Sequence, residues 1–407
     1  MYDALIIGAR PAGSSTAMLL ARKGYRVVIV EKASFPSDAP RGHFIQAPGV
    51  ALLKKWGLLD RVIATNCPPI SQISFDLGPF ALTAAVPPID GVSVSYAPRH
   101  GIIDNLLYKA AQEAGAEGRE SFLVQELLMD GGKVTGIRGR DARGKTVRET
   151  ARVVIGADGL HSIVARTVQA PTYHEKPTLS VAYFAYYSHV SIDTLTMYTR
   201  ENGMFGVFST NDGQVCVFVQ FPYREFHEFR RDVPGNFDRL LATVPEIAEL
   251  LQNSERIGNI LAYSDMPNLF RKPYGPGWAL VGDAGYHKDP ITGQGFTDAF
   301  FSAQLLADAL DAGFSGQSPM EEALAAYEQQ RNEHVMPMFD FVCQLASFEP
   351  PSPEMQQLFH ALYGNERETS RFLGAIAGTV RIPEFFDPEN VERIIAAAHR
   401  AAQPIGD

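Results

Sequence analysis

Gly8 and Gly13 bound the hexapeptide GARPAG, and Glu31 closes the next apolar run, residue types and spacings suited to gripping a pyrophosphate and its ribose. Gly8 permits a tight turn and Gly13 lets a helix lie close on a strand. A helix opening at Pro11 and Ala12 offers free N–H groups and the positive end of its dipole to an anion. Glu31 is suited to accept from ribose hydroxyls, with Lys32 beside it. Arg10 stands where the usual GxGxxG fingerprint has its middle glycine, the point at which backbone approaches phosphate. Its guanidinium either brings charge to that phosphate or points into solvent, and the spacing leaves both open.

These residues need a strand, a turn, a helix and a second strand to hold them. Residues 3–8 form an apolar run ending in glycine, 11–23 read as a helix stopped by Gly24, and 26–31 form a β-branched run. This βαβ order implies a parallel sheet. A further strand is expected at 152–157, just before Asp158, and the same texture returns at 278–285, followed by a helical pattern over about 293–312. Between about 175 and 225, aromatic and polar residues alternate as in SVAYFAYYSH and GQVCVFVQF, which suits an antiparallel sheet with one buried face. From 353 onward amphipathic helical patterns broken by proline are expected to pack on the body.

Two segments carry a resemblance. IGADGLHSIVAR (155–166) resembles the DG motif of flavin-dependent aromatic hydroxylases, and LVGDAGYHKDPITGQGFTDAF (280–300) resembles their GD motif with its glycine-rich flavin loop. That FAD-dependent monooxygenase superfamily also includes geranylgeranyl reductases, squalene epoxidase-like enzymes and flavin-dependent halogenases. The resemblance implies that Asp283 binds the FAD ribityl chain and that Pro290, Gly293, Gln294 and Gly295 lie beside the isoalloxazine. It gives Asp158 and Gly159 a part in holding FAD and shaping the nicotinamide approach, with Arg166 as the usual basic partner; Asp158 would equally cap a helix start. PRGHFIQAPGVALLKKWGLLDR (40–61) is similar to a segment that brings a basic residue to the cofactor, here Arg41. In YAPRHGIIDNLLYKAAQEAGA (96–116) His100 takes the place of the family's arginine and Arg99 is its neighbour; Arg99 is expected to touch FAD.

Of His43, His161, His189 and His287, the last lies between the GD motif and Pro290 and is the candidate acid–base residue, one position later than in the family. Tyr183, Phe218 and Gln220, on the aromatic strands, are expected to line a substrate pocket.

The fold expected is α/β: an FAD-binding, Rossmann-like, doubly wound domain with an inserted antiparallel β-sheet substrate domain and C-terminal helices. Residues 1–70, 99–172 and 271–345 form the first, 71–98 and 173–270 the second, and 346–407 the helical tail. The resemblance implies an NAD(P)H-dependent monooxygenase that acts on a small aromatic or polycyclic substrate through a flavin C4a-hydroperoxide, with the nicotinamide bound transiently. A geranylgeranyl reductase-like enzyme and a non-catalytic flavin-binding protein are the alternatives. A tryptophan-type halogenase is disfavoured, because its WxWxIP signature is absent and the chain has only Trp56 and Trp278.

With 407 residues and 45% apolar side chains the chain can bury a large core. A formal charge of −10 argues against a nucleic-acid partner, and no stretch is long and apolar enough to be expected to span a bilayer. Three scattered cysteines suggest neither a metal site nor a disulfide framework, and point to the cytosol. The partner expected is a small molecule, with a homodimer left open.

Overall fold

Val, Ile, Leu and Ala fill the strands Tyr2–Ile7 and Val27–Val30, and sheet pairing with cover on both faces buries almost all of them. The computed structural model describes residues 1–37, 42–201 and 203–402, with side chains to Arg400. Arg41 lies outside the described residues. The strand order in the main sheet is Tyr274–Gly275, Trp278–Leu280, Thr146–Gly156, Tyr2–Ile7, Val27–Val30, Glu117–Arg119. Parallel pairing runs from Trp278–Leu280 through to Glu117–Arg119. The helix Pro11–Arg22 packs between His100–Glu113 and Gly295–Ser315 on one face.

The strand expected at 152–157 starts earlier, at Thr146. Its first half, TVRET, pairs antiparallel with Lys133–Arg140, and its second half, from Ala151, pairs parallel with Tyr2–Ile7. Only the second half is continuously apolar near its end, which is why that part alone reads as a strand in sequence.

A second sheet is ordered Arg256–Tyr263, Ser180–Ser188, Gln214–Pro222, Gly203–Ser209, Thr194–Arg200, Gln72–Asp76, Ala81–Ala84. One buried face was the expectation, but both are covered. Residues of one parity, Phe184, Phe208 and Cys216 among them, join the main core. Those of the other parity, Val181, Tyr183, Phe205, Val217 and Phe221, pack beneath Phe229, Phe237 and Ile247 of the short helices that follow. Such strands show a continuous apolar run because each side chain has a core to enter. The tail forms the helices Pro353–Leu362, Glu366–Ala377, Ile382–Phe385 and Pro388–Ala402. Leu358, Phe372, Leu373, Phe385 and Ile394 from it enter the main core.

Candidate functional site

Three adjacent parallel strands end side by side, because Ile7 registers with Gly156 and Gly156 with Leu280. The turn after each therefore meets the others at the carboxyl edge of the sheet, where open α/β sheets bind ligands. Gly8 has φ of 101°, and a Cβ there would fall 2.5 Å from the Ala157 carbonyl oxygen. A Cβ at Gly13 would lie 1.8 Å from the Gly8 oxygen, and one at Gly282 would lie 2.7 Å from the Ala12 side chain. The turns near residues 8, 158 and 283 thus lie against one another at that edge.

Glu31 is buried, and its two carboxylate oxygens accept from Ala9 N at 2.9 Å and Ala33 N at 3.0 Å. That pins the carboxylate at the end of the second strand with lone pairs to spare. Lys32, the next residue, is exposed. Arg10 caps the helix that opens at Pro11, in extended conformation. Its Nη1 lies 3.7 Å from Asp104 Oδ2 and is buried with no hydrogen-bond partner. His100 Nδ1 stands 3.3 Å from the same Asp104 oxygen, and His100 Nε2 lies 2.7 Å from the Gly42 carbonyl oxygen. The two departures from the family pattern, at positions 10 and 100, therefore meet on one fully buried carboxylate. Arg99 goes elsewhere: it ion-pairs with Asp212 and lines a surface cavity of about 670 Å³ with Arg61 and Lys109. Of the two neighbours, the structure brings His100 to the glycine turn.

Asp158 Oδ2 accepts from Ile163 N at 2.7 Å, which is the helix-start role, while its Oδ1 is buried without a partner. Burial raises its pKa above the usual carboxylate value, although hydrogen bonds from Ser162 and Ile163 oppose that. Arg271, which sequence reading missed, donates to the Ala284 carbonyl at 2.9 Å and lies in the field of Asp158. It clasps the turn that carries Asp283.

Asp283 is exposed on that turn. Beyond it, Pro290–Thr292 forms a short turn, Gly293 follows at φ 66°, and the long helix opens at Gly295. A Cβ on Gly295 would meet nothing within 4 Å, so the amino end of this helix faces open space. The Gln294 side chain turns away, its Nε2 donating to the Ile376 carbonyl at 2.9 Å on the tail. From the opposite side Gln46 Nε2 donates to the Thr292 carbonyl at 2.9 Å.

Asp289 is wholly buried at the base of this loop. It accepts from Ser180 Oγ at 2.5 Å, Gln220 Nε2 at 2.6 Å and Ile291 N at 3.1 Å, and its own N–H donates to Asn268 Oδ1 at 2.7 Å. Burial raises its pKa, opposed by these donors. Gln220, expected in a substrate pocket, is thereby placed in a buried network that ties the second sheet to the loop. His287 Nδ1 donates to the Pro267 carbonyl at 2.7 Å, within a two-residue strand paired to Leu269 and Phe270.

Strand parity divides the expected pocket residues. Tyr183 lies on the outer face, 4.5 Å from Phe229 between ring centroids and away from the crevice. Phe218 lies on the inner face with Phe184, Tyr186 and Phe208. His43 belongs to this inner cluster, its ring stacked on Tyr186 at 5.6 Å and edge-on to Phe208 at 5.7 Å.

These features fit a flavin dinucleotide: partner-poor Arg10 and Asp158, the pinned Glu31, the outward Asp283, and an unobstructed helix start at Gly295. Comparison with known proteins gives matching relations. A family model described as an FAD binding domain matches residues 1–342. A digeranylgeranylglycerophospholipid reductase of Methanosarcina acetivorans is 28% identical over 347 residues, 82% of this chain and 81% of the relative. A brominase of 1H-pyrrole-2-carbonyl-(peptidyl-carrier protein) from Pseudoalteromonas luteoviolacea is 25% identical over 325 residues, 77% of this chain and 78% of the relative. A flavoprotein/dehydrogenase structure from Cytophaga hutchinsonii superposes with TM-score 0.83 at 20% identity, covering 99% of this chain and 100% of that one.

Proposed function

This chain belongs to the family of FAD-binding oxidoreductases, and from that premise we propose that it is an NAD(P)H-dependent monooxygenase of small aromatic or polycyclic substrates. The observation that carries the reading is the inner face of the second sheet: Phe184, Tyr186, Phe208 and Phe218, with Phe44 beside Gly293, form an aromatic wall toward the flavin loop. Such a wall suits a planar ring, whose faces and edges pack on aromatic side chains.

Bound FAD supplies two-electron chemistry between a nicotinamide donor and dioxygen. The chain's own residues bind and orient. Glu31 holds a ribose, Arg10 and the helix start at Pro11 hold the pyrophosphate, and Asp283 holds the ribityl chain. The amides of Gln294 and Gly295, at the start of the long helix, would stabilise negative charge on the reduced ring. The Asp289 network keeps the second sheet, and so the bound ring, at fixed distance from that loop. Buried aromatic walls exclude water. The nicotinamide binds transiently, and the three cysteines, all buried and unbridged, suit the cytosol as the working compartment.

A reductase of carbon–carbon double bonds is the second reading, favoured by the 28% identity to the digeranylgeranylglycerophospholipid reductase. The test is reduction by NADPH under argon, followed by labelled dioxygen with a panel of aromatic compounds, with and without bromide. The proposal expects dioxygen uptake matched by label in the product, whether or not bromide is present. Product formed from an isoprenoid lipid under argon supports the reductase, and bromide-dependent product supports ring halogenation.

A further inference from the structure

Asp104 is buried completely on the helix His100–Glu113, and one of its oxygens faces two basic side chains. Arg10 Nη1 lies 3.7 Å from Oδ2 and His100 Nδ1 lies 3.3 Å from the same atom, while Oδ1 and Arg10 Nη1 have no hydrogen bond. His100 Nε2 lies 2.7 Å from the Gly42 carbonyl oxygen, which can only accept, so Nε2 carries a proton. A neutral ring would then set a bare Nδ1 lone pair against the carboxylate at a buried contact. The contact therefore calls for one more proton, between Nδ1 and Oδ2.

That proton sets the charge available at the start of the helix Pro11–Arg22. With it, a guanidinium and an imidazolium share one carboxylate and leave a unit of positive charge over; without it, Asp104 and Arg10 cancel. The helix start has no side-chain cap and no acidic residue in its first turn, so among the described residues Asp104 is the one carboxylate ion-paired with Arg10. Few other groups face His100. On its own helix it meets Asp104, while Arg99 turns to Asp212. From segment 42–46, His43 lies 6.5 Å away between ring centroids, held neutral mainly by burial with its pKa lowered to about 3. From the long helix Gly295–Ser315 the Phe296 ring approaches to 5.4 Å and brings no charge.

We propose that His100 is a proton-operated switch on the grip of FAD: protonated, it holds Asp104 and frees the Arg10 guanidinium for the pyrophosphate, and deprotonated, it leaves Asp104 to Arg10 alone. This rests on the FAD-binding reading above, whichever reaction the flavin serves. The arginine that the family resemblance places at position 100 would keep its charge at every pH, whereas an imidazole can lose its second proton near neutral pH. Because the pyrophosphate favours the protonated pair, FAD binding takes up a proton, and by the same linkage rising pH loosens the cofactor.

The test follows release of FAD from the loaded protein into an excess of an apoflavoprotein trap, from about pH 6 to about pH 9. In wild type the release rate is expected to rise about tenfold across that range, the worth of one charge-assisted contact. In His100→Arg the rate stays low and level with pH, and in His100→Gln it is high and level. Arg10→Gln, which removes the group the switch acts on, also gives a high and level rate. A level wild-type profile, or a slope that survives in His100→Arg or in Arg10→Gln, overturns the proposal and leaves His100 a packing residue. A wild type that holds no FAD at any pH instead removes the flavoprotein reading beneath it.

Discussion

At the scale of single residues, charge placement is the distinctive feature. Arg10 brings a guanidinium to the helix start where a glycine would bring backbone, and Asp104 holds it there by an ion pair, 3.7 Å from Nη1, that leaves this nitrogen without a hydrogen bond. Arg10→Ala should therefore weaken FAD binding roughly ten- to a hundredfold, the worth of a charge-assisted contact, and flatten its salt dependence in a flavin fluorescence titration. Unchanged affinity would leave Arg10 as no more than the counterion of Asp104. His43 gives a second expectation. Its folded pKa lies near 3, below the ordinary 6.5, so on acidification the unfolded chain takes up a proton that the folded chain refuses. Stability from this group is present above pH 6.5 and is lost as pH falls. Wild type should lose about 2 kcal/mol more than His43→Phe between pH 7 and 5 in chemical denaturation. Asp289 and Asp298 have raised pKa values and act with the opposite sign, but they are common to both proteins and cancel. The charged and titratable neighbours of His43, His100 and Arg99, are also retained in both. Gly8, Gly13 and Glu31 stood out in sequence because a βαβ turn fixes their spacing, and Asp158 and Asp283 stood out only through the resemblance of their motifs. His43 and Asp104 were not, because their meaning depends on partners from distant segments.

At the scale of elements, strand phase decides what a residue can do. SVAYFAYYS is apolar at both parities, so its alternation announces a strand without saying which side faces the flavin. Pairing supplies that answer, and it sends Tyr183 outward onto Phe221 and Phe229. Tyr183→Ala should cost about 3–5 kcal/mol of stability by opening a hole in that cluster. Flavin content in the surviving folded fraction should stay as in wild type. The flavin loop depends on a different link. Asp289→Ala strands Ser180 and Gln220 without their common carboxylate, while the backbone N–H that meets Asn268 remains. FAD should then dissociate faster, by at least about tenfold, with Asp289→Asn nearer to wild type. Stopped-flow release into an apoflavoprotein trap measures both, and equal rates in all three proteins would deny the network its role.

At the scale of the whole molecule, the chain crosses between its two sheets repeatedly and still brings three strand ends to one edge. That convergence was readable, since each motif announces a strand followed by a turn, and parallel strands share one direction. The tail was legible only as helices. Its docking relies on contacts such as Ser370 Oγ to the Ala85 carbonyl at 2.7 Å and Gln294 to Ile376, which no local pattern encodes. The central claim is that the turns near Gly8, Asp158 and Asp283 grip a single FAD. A crystal structure of the protein grown with FAD tests it most directly. The account predicts one dinucleotide, with its ribose at Glu31, its pyrophosphate at Arg10 and the Pro11 helix start, and its ring against Gly293–Gly295. An FAD bound elsewhere, or a crevice that stays closed at saturating FAD, would contradict it.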